Sequence, residues 1–176
     1  MKQVFVLDTD VISETSKVRP HPRVLDFLKA AENIVLPAAA LMELQKGIME
    51  ICARSPLKAV KLSKWYQELT AGEIPIAPSG KEVLEIWGTL AADRRLRNLS
   101  VPRADAKEPR IGQDLHIAAT ALTLRAVIAT FNVKDFMLIN ECYPLPGIFN
   151  PMTGIWHAKM EALRFPEMAP YGKKTF

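Results

Sequence analysis

Short apolar runs of strand length alternate with longer segments of helical periodicity, and this alternation restricts the fold more than any other feature of the chain. The strand-like runs lie at residues 3–7, 34–36, 74–78, 127–130 and 147–149. The first of them lacks polar alternation, which is typical of parallel strands buried on both faces. Because the chain has no internal repeat, this order predicts an α/β protein, a three-layer α/β/α sandwich around a central, mostly parallel sheet.

Composition excludes several classes of protein. With 176 residues, 49% of them hydrophobic, the chain is long enough to bury a real core. A formal charge of +4 permits a nucleic-acid partner but is too small for a dedicated non-specific binder. Cys52 and Cys142 form no CxxC pair, so neither a disulfide framework nor structural zinc is indicated. No apolar run could span a bilayer, so we expect a cytoplasmic protein without a membrane partner.

Acidic residues follow strands or stand on predicted helices at several points. Asp8 and Asp10 end the first strand, Glu43 lies on the helix predicted over 39–52, Asp114 begins a helix, and Asp135 follows the strand at 127–130. Ligand crevices in parallel sheets lie outside the carboxyl ends of the strands. Close carboxylates repel one another unless a cation lies among them, and hard oxygen ligands favour Mg²⁺ or Mn²⁺ over zinc. Such an ion can activate water for phosphodiester hydrolysis.

Four segments carry a family resemblance: "VFVLDTDVISE", "AALMELQKGI", "GQDLHIAATAL" and "ATFNVKDF". In this order they resemble the PIN-domain ribonuclease toxins of bacterial toxin–antitoxin pairs, in the VapC and FitB-like group. The resemblance covers residues 3–151. It implies a PIN-like domain over residues 1–151, with residues 152–176 as a C-terminal extension that is not a separate domain. It also implies metal-dependent endonucleolytic cleavage of RNA, a cognate antitoxin that inserts residues into the active-site groove, and a homodimer.

The resemblance also implies the site residues. It assigns the catalytic role to Asp8, Glu43 and Asp114, and a metal-binding role to the same three with Asn132 and Asp135. Which of Asn132 and Asp135 is the fourth site residue stays open. Secondary site residues are Asp10, Thr130, Asn132 and Asp135. The cofactor implied is Mg²⁺ or Mn²⁺.

Two positions depart from the family pattern. Asp10 stands where the first motif usually has Asn, and Phe131 stands where many relatives have Arg. Asp10 has an alternative interpretation, because either it or Ser13 could cap the helix that follows. His116 lies two residues from Asp114, off its helical face, so we expect a structural role for it.

A set of basic residues brackets an irregular, charged loop between residues 98 and 112. These residues could hold RNA phosphates, although a solvated helix end is the commoner explanation and interleaved acids dilute their field. The set consists of Arg94, Arg95, Arg97, Arg103, Lys107 and Arg110.

Two other functions compete with the ribonuclease. A strand followed by D-T-D-V also resembles haloacid-dehalogenase-type phosphatases, with Asp8 as nucleophile and Asp10 as general acid/base; no convincing GDxxxD follows, however, and Glu43 would stay unexplained. The other alternative is a catalytically silent PIN-like module that binds RNA or a protein.

Overall fold

The computed structural model describes residues 3–100 and 113–159, in which six strands form one sheet. The spatial order is β3-β2-β1-β4-β5-β6; the first five strands run parallel and β6 runs antiparallel to β5. The strands are β1 Phe5–Leu7, β2 Ile34–Pro37, β3 Ile76–Ala77, β4 Val127–Ala129, β5 Gly147–Asn150 and β6 Ile155–Lys159. The predicted mostly parallel α/β/α class is therefore confirmed.

Helices connect the parallel strands, and the helical periodicity read from the sequence is confirmed in α2, α3, α4, α5 and α7. The helices are α1 Thr9–Glu14, α2 Pro22–Ala30, α3 Ala38–Cys52, α4 Pro56–Ala71, α5 Lys81–Ala92, α6 Arg97–Ser100, α7 Gln113–Leu124 and α8 Val133–Cys142. A 3₁₀ turn at Arg94–Leu96 joins α5 to α6. Within the two described ranges, no helix combines the length and the apolar character that a bilayer crossing requires.

Helix α8 and strand β6 were not predicted from the sequence. Strand β6 follows residue 151, where the sequence analysis ended the domain, and it joins the same sheet as the strands before it. Helix α6 replaces the first residues of the predicted irregular loop. The rest of that loop, residues 101–112, and residues 160–176 of the extension lie outside the described residues.

Side chains on both faces of the sheet are covered by other elements. On one face, Phe5 contacts Phe27 of α2 edge to face at 5.1 Å, and Phe149 packs between Phe27 and Trp156 at 5.3 and 5.0 Å. Val6, the next residue along β1, points to the opposite face and is fully buried. Helix α7 contacts β1 and β4 and packs against α3, α5 and α8.

The register of β1 against β4 decides which chain segments meet at the carboxyl edge. Leu7 pairs with Ala129, and the Asp8 amide donates to the Ala129 carbonyl at 2.9 Å. The next residues, Asp8 and Thr130, therefore leave the sheet side by side. Here the chain turns toward β2 on one side and β5 on the other, the topological switch point at which parallel sheets bind ligands.

Candidate active site

Asp8 is the central acid of this edge, and hydrogen bonds fix its carboxylate. It occupies the N-cap of α1 in extended conformation, and its Oδ1 accepts from the Thr9 amide at 2.7 Å. Its Oδ2 accepts from the Thr130 hydroxyl at 2.6 Å. Only 5% of Asp8 is exposed. The carboxylate therefore has one orientation, which two neighbouring strand ends set together.

Asp10 does not cap α1, so that alternative is wrong, and the same holds for Ser13. Asp8 already occupies the N-cap, and Ser13 donates to the Thr9 carbonyl one turn back, at 2.8 Å. Asp10 instead accepts two backbone N–H groups through its Oδ2, from Phe131 at 2.8 Å and from Asn132 at 3.0 Å. Its Oδ1 is buried and, among the described residues, has no hydrogen-bond partner.

Asn132 brings together the two acids contributed by α7 and α8. Its side-chain nitrogen donates to Asp135 Oδ2 at 2.9 Å and lies 3.4 Å from Asp114 Oδ2. Asp114 stands in the first turn of α7 and Asp135 in the first turn of α8. Asn132 and Asp135, between which the sequence left the fourth position open, are therefore hydrogen-bonded to each other, and Asn132 also contacts Asp114.

Glu43 reaches this edge from α3 and is held by a residue that the sequence analysis did not single out. The Thr9 hydroxyl donates to Glu43 Oε2 at 2.6 Å, and Thr9 directly follows Asp8. Its position between the two acids of D-T-D is the sequence signal that could have identified it. All the predicted catalytic and secondary residues thus lie at one edge of the sheet, linked by hydroxyl and amide hydrogen bonds.

The pKa values of two acids at this edge, Asp8 and Asp10, are raised. Burial raises the pKa of Asp8 well above its usual range, and the nearby charges of Asp10 and Asp114 raise it further, against the hydrogen bonds from Thr130 and Thr9. Burial also raises the pKa of Asp10 to about 6, although the backbone N–H groups that it accepts oppose the shift. Each acid would be stabilised in its charged form by a cation placed among them.

The donor set fits a hard divalent cation. Carboxylate and amide oxygens are the ligands of Mg²⁺ and Mn²⁺, and the buried Asp10 Oδ1 has no hydrogen-bond partner among the described residues. Over residues 3–100 and 113–159, no three His, Cys, Asp or Glu side chains form a ready cage for a metal ion. Mg²⁺ needs no such cage, because it keeps several waters and commonly uses one or two protein carboxylates.

The basic residues expected to contact RNA differ in their availability. Arg95 donates to both carboxylate oxygens of Asp93, with Nη2 2.6 Å from Oδ2, and Asp93 also accepts from the Tyr143 hydroxyl at 3.1 Å. Arg95 is therefore neutralised locally, whereas Arg94 and Arg97 are exposed. Three of the set lie outside the described residues: Arg103, Lys107 and Arg110.

His116 is packed away from the acids, as expected from its position. Its Nε2 lies 2.9 Å from the Ser79 hydroxyl, and its ring contacts Trp87 edge on, with centroids 5.0 Å apart. Burial lowers the pKa of the imidazole. His116 therefore serves as a neutral packing residue beside the site.

A groove between α1, α3 and α4 opens beside Glu43 and was not anticipated from the sequence. Its volume is about 880 Å³, and Thr9 and Glu43 belong to its lining. The rest is mostly apolar, with three lysines: Leu44, Ile48, Ile51, Leu57, Leu62, Trp65, Lys17, Lys58 and Lys61. Leu57 is 82% exposed and Val18, also in the lining, is 99% exposed.

Comparison with known proteins shows the family to which this fold is similar. The family model described as PIN domain matches residues 5–136. Toxin FitB of Neisseria gonorrhoeae (strain ATCC 700825 / FA 1090) is 25% identical over 161 residues, which is 88% of this chain and 99% of that protein. The structure of FitAcB from Neisseria gonorrhoeae aligns with a TM-score of 0.55 at 24% identity, covering 84% of this chain and 98% of that one. VapBC-1 from nontypeable Haemophilus influenzae aligns with a TM-score of 0.55 at 24% identity, covering 79% and 94%.

Proposed function

Because this chain belongs to the PIN-domain family, as its four motifs predicted, we propose that it is a metal-dependent endoribonuclease and the toxin of a toxin–antitoxin pair. The observation that carries the proposal is the carboxylate cluster at the β1–β4 edge, where Asp8 lies near the charge of Asp114, and Asn132 donates to both Asp114 and Asp135. A cation placed among these acids would stabilise their charged forms, and a bound cation suits a phosphodiester substrate. We propose RNA as the substrate and the cytoplasm as the location of the protein.

The residues at this edge would have two roles in the reaction: acids would hold the cation, and threonine hydroxyls would orient the acids. Asp8 and Asp114, with Asp135 beside them, would hold Mg²⁺ or Mn²⁺. When bound, the ion supplies a water of lowered pKa as nucleophile and neutralises charge on the phosphate oxygens. The Thr130 hydroxyl fixes the Asp8 carboxylate, and the Thr9 hydroxyl fixes that of Glu43, so both acids are oriented before substrate arrives.

A direct test compares the wild type with Asp8→Ala and Asp114→Ala on a pool of cellular RNAs and on a generic phosphomonoester. Each is assayed with Mg²⁺, Mn²⁺ or chelator, and Asp26→Ala, an exposed acid on α2, serves as the matched control. We expect metal-dependent RNA cleavage that both site variants lose and the control keeps. Phosphomonoester turnover lost only with Asp8 would favour the phosphatase. RNA binding without turnover would favour the silent module.

RNA contact by the exposed arginines is a separate part of the proposal. Arg94 and Arg97 project from the segment between α5 and α7 and are free of the Asp93 clamp that holds Arg95. Replacing both with Ala should weaken RNA binding. It should also make the slope of log K against log salt concentration shallower, by the amount that roughly one to two phosphate contacts contribute. Lys29→Ala, on exposed α2, is the control. Equal salt slopes in all three proteins would exclude this contact.

The groove between α1, α3 and α4 supports an antitoxin partner. A segment that presents apolar side chains to Leu57 and Val18 and acidic ones to Lys58 and Lys61 would complement its lining. Bound there, it would also touch Glu43 and so obstruct the site. The solved relatives named FitAB and VapBC are themselves complexes of two proteins. We expect addition of the cognate antitoxin to stop RNA cleavage.

A second copy of the chain is the other proposed partner. Met42 and Leu84 are about half exposed and line, with Trp87, a cavity of about 340 Å³ away from the groove. This apolar face is a candidate dimer surface. Light scattering should give twice the 19.7 kDa chain mass, and Leu84→Asp should return the protein to the mass of one chain.

A further inference from the structure

We infer that Asp10 is a positioning residue of the candidate active site and that it acts through Asn132. The inference rests on the proposed function, since it concerns how the same edge of the sheet is held ready for a cation. It follows from three features of the turn that leaves β4.

The first feature is the contact that ties this turn to the first turn of α1. Asp10 Oδ2 accepts the backbone N–H groups of Phe131 and Asn132, which lie 121 and 122 residues away along the chain. The Asn132 amide also lies 2.8 Å from the Thr130 hydroxyl. A single carboxylate oxygen therefore organises two consecutive amides immediately before α8.

The second feature is that Asn132 does not cap its own helix. It stands at the N-cap of α8 with φ −82° and ψ 56°, and its side chain makes no capping hydrogen bond. Asparagine at an N-cap ordinarily accepts from an amide of the first turn. Here its side-chain NH₂ faces Asp114 and Asp135 instead.

The third feature is the connection between these two observations. The Asn132 side chain reaches both acids from the backbone conformation that the Asp10 contact helps to hold. Removing the acceptor at position 10 would take the bond from the Phe131 amide and leave the Asn132 amide with the Thr130 hydroxyl alone. The NH₂ group would then be held less firmly between Asp114 and Asp135. The acceptor oxygen is the functional part of Asp10, because only Oδ2 makes these contacts.

Two substitutions separate the acceptor from the charge. Asp10→Asn keeps an oxygen in the same place, whereas Asp10→Ala removes it. We would measure Mn²⁺ affinity by calorimetry on the full chain, together with kcat and KM for RNA cleavage. The set is completed by Asn132→Ala and by the double variant Asp10→Ala/Asn132→Ala.

We expect Asp10→Asn to keep Mn²⁺ affinity and kcat within about twofold. Asp10→Ala and Asn132→Ala should each lower Mn²⁺ affinity by about tenfold, the range typical of groups that orient metal ligands, and should reduce kcat more than they change KM. The double variant should lose no more Mn²⁺ affinity or kcat than the single variant with the larger loss. If Asp10 acts through Asn132, the effects of the two substitutions are not additive.

Three results would overturn the inference. A loss in Asp10→Asn equal to that in Asp10→Ala would show that the charge matters and that Asp10 is itself a ligand. Additive losses in the double variant would show that Asp10 does not act through Asn132, and wild-type behaviour of Asp10→Ala would show no role. If Asp10→Ala does not fold, as judged by circular dichroism, Asp10→Asn and Asn132→Ala still decide. A wild type that neither binds Mn²⁺ nor cleaves RNA would instead refute the proposed function itself, and the inference with it.

Discussion

The carboxylate edge and the groove between α1, α3 and α4 lie side by side but differ in which kind of side chain each buries or exposes to solvent. At the edge, buried acids are held by short hydrogen bonds, and burial raises the pKa of Asp8. In the groove, apolar side chains such as Leu57 and Val18 lie open to solvent. The first region buries ionisable groups, and the second exposes apolar ones. Both are features that a fold optimised only for stability would avoid, and sites of this kind usually serve function.

The largest difference between the regions should appear when the charge of the edge is reduced. Asp8→Asn keeps the size of the side chain but removes a charge whose burial raises the pKa of Asp8. We expect the metal-free variant to melt higher than the wild type while RNA cleavage falls by about 1,000-fold. Melting curves with chelator and cleavage assays with Mn²⁺ measure the two effects. Asp26→Asn should change neither the Tm nor RNA cleavage. A metal-free Asp8→Asn variant less stable than the wild type would show that burial of the Asp8 charge does not destabilise the folded protein.

The second test changes pH instead of sequence. Because the pKa of Asp10 is raised from 3.8 to about 6, the folded protein binds more protons than the unfolded chain between these values. Protonation of Asp10 therefore contributes to the free energy of unfolding. This contribution is fully present below pH 3.8 and is lost as pH rises through 6. Two pKa units are worth about 2.7 kcal/mol. The Tm of the metal-free protein should therefore fall by about 5–10 °C between pH 4.5 and pH 7.5.

The control for the pH test is Asp10→Asn, in which the slope of Tm against pH should be clearly flatter. Saturating Mn²⁺ should flatten it in the wild type as well, because the cation stabilises the charged acids. A Tm of the chelated protein that rises over this pH range would mean that the folded state favours the ionised acids, contrary to the structure.

The third test addresses the residue that the two regions share. Thr9→Val removes the hydroxyl that holds Glu43, whose side chain belongs both to the edge and to the groove lining. Loss of one hydrogen bond to a charged group, about 1.5 kcal/mol, corresponds to roughly a tenfold fall in kcat/KM for RNA. Thr89→Val is the matched control, since its hydroxyl bonds only to the Glu85 carbonyl of its own helix. Equal activity of the two variants would show that the hydroxyl of Thr9 does not orient Glu43.

The smallest expected effect concerns the groove alone. An exposed apolar groove binds the dye ANS, so Leu57→Asp should lower the fluorescence of bound ANS by about half. Val60→Asp alters an equally apolar residue of α4 that is 67% exposed but does not belong to the described groove lining. It should leave the fluorescence unchanged, and RNA cleavage should be the same in both variants. A similar loss with Val60→Asp would mean that the dye reports the whole surface of α4.

The sequence predicted the fold well where local periodicity and burial agree. The face of α3 that carries Leu41, Leu44 and Ile48 is buried, as its spacing indicated. Helix α8 was missed because its first residues were read as part of the site motif. Strand β6 was missed because only Trp156 and Ala158, on one side of a five-residue edge strand, pack inward. Short edge elements depend on contacts that local patterns do not reveal.

The site was predictable in its acids but not in their partners. Asp8, Glu43 and Asp114 each belong to a motif, and their motif positions placed them at the same edge of the sheet. The two amides bonded to Asp10 could not be read from the sequence, because that contact depends on the register of β1 against β4. The alternative of a cap on α1 failed because Asp8 already occupies that N-cap. Asp10 instead accepts the amides of Phe131 and Asn132, just before α8.

The wide sequence separation within the candidate site also sets when that site can first form during synthesis of the chain. Asp8 and Thr130 are hydrogen-bonded across 122 residues, so the amino-terminal half of the edge leaves the ribosome long before its counterpart exists. At typical elongation rates of 5–20 residues per second, the delay is roughly 6–24 s. Under the proposed function, we therefore expect no RNA cleavage by a nascent chain until Thr130 has left the ribosome and has met Asp8.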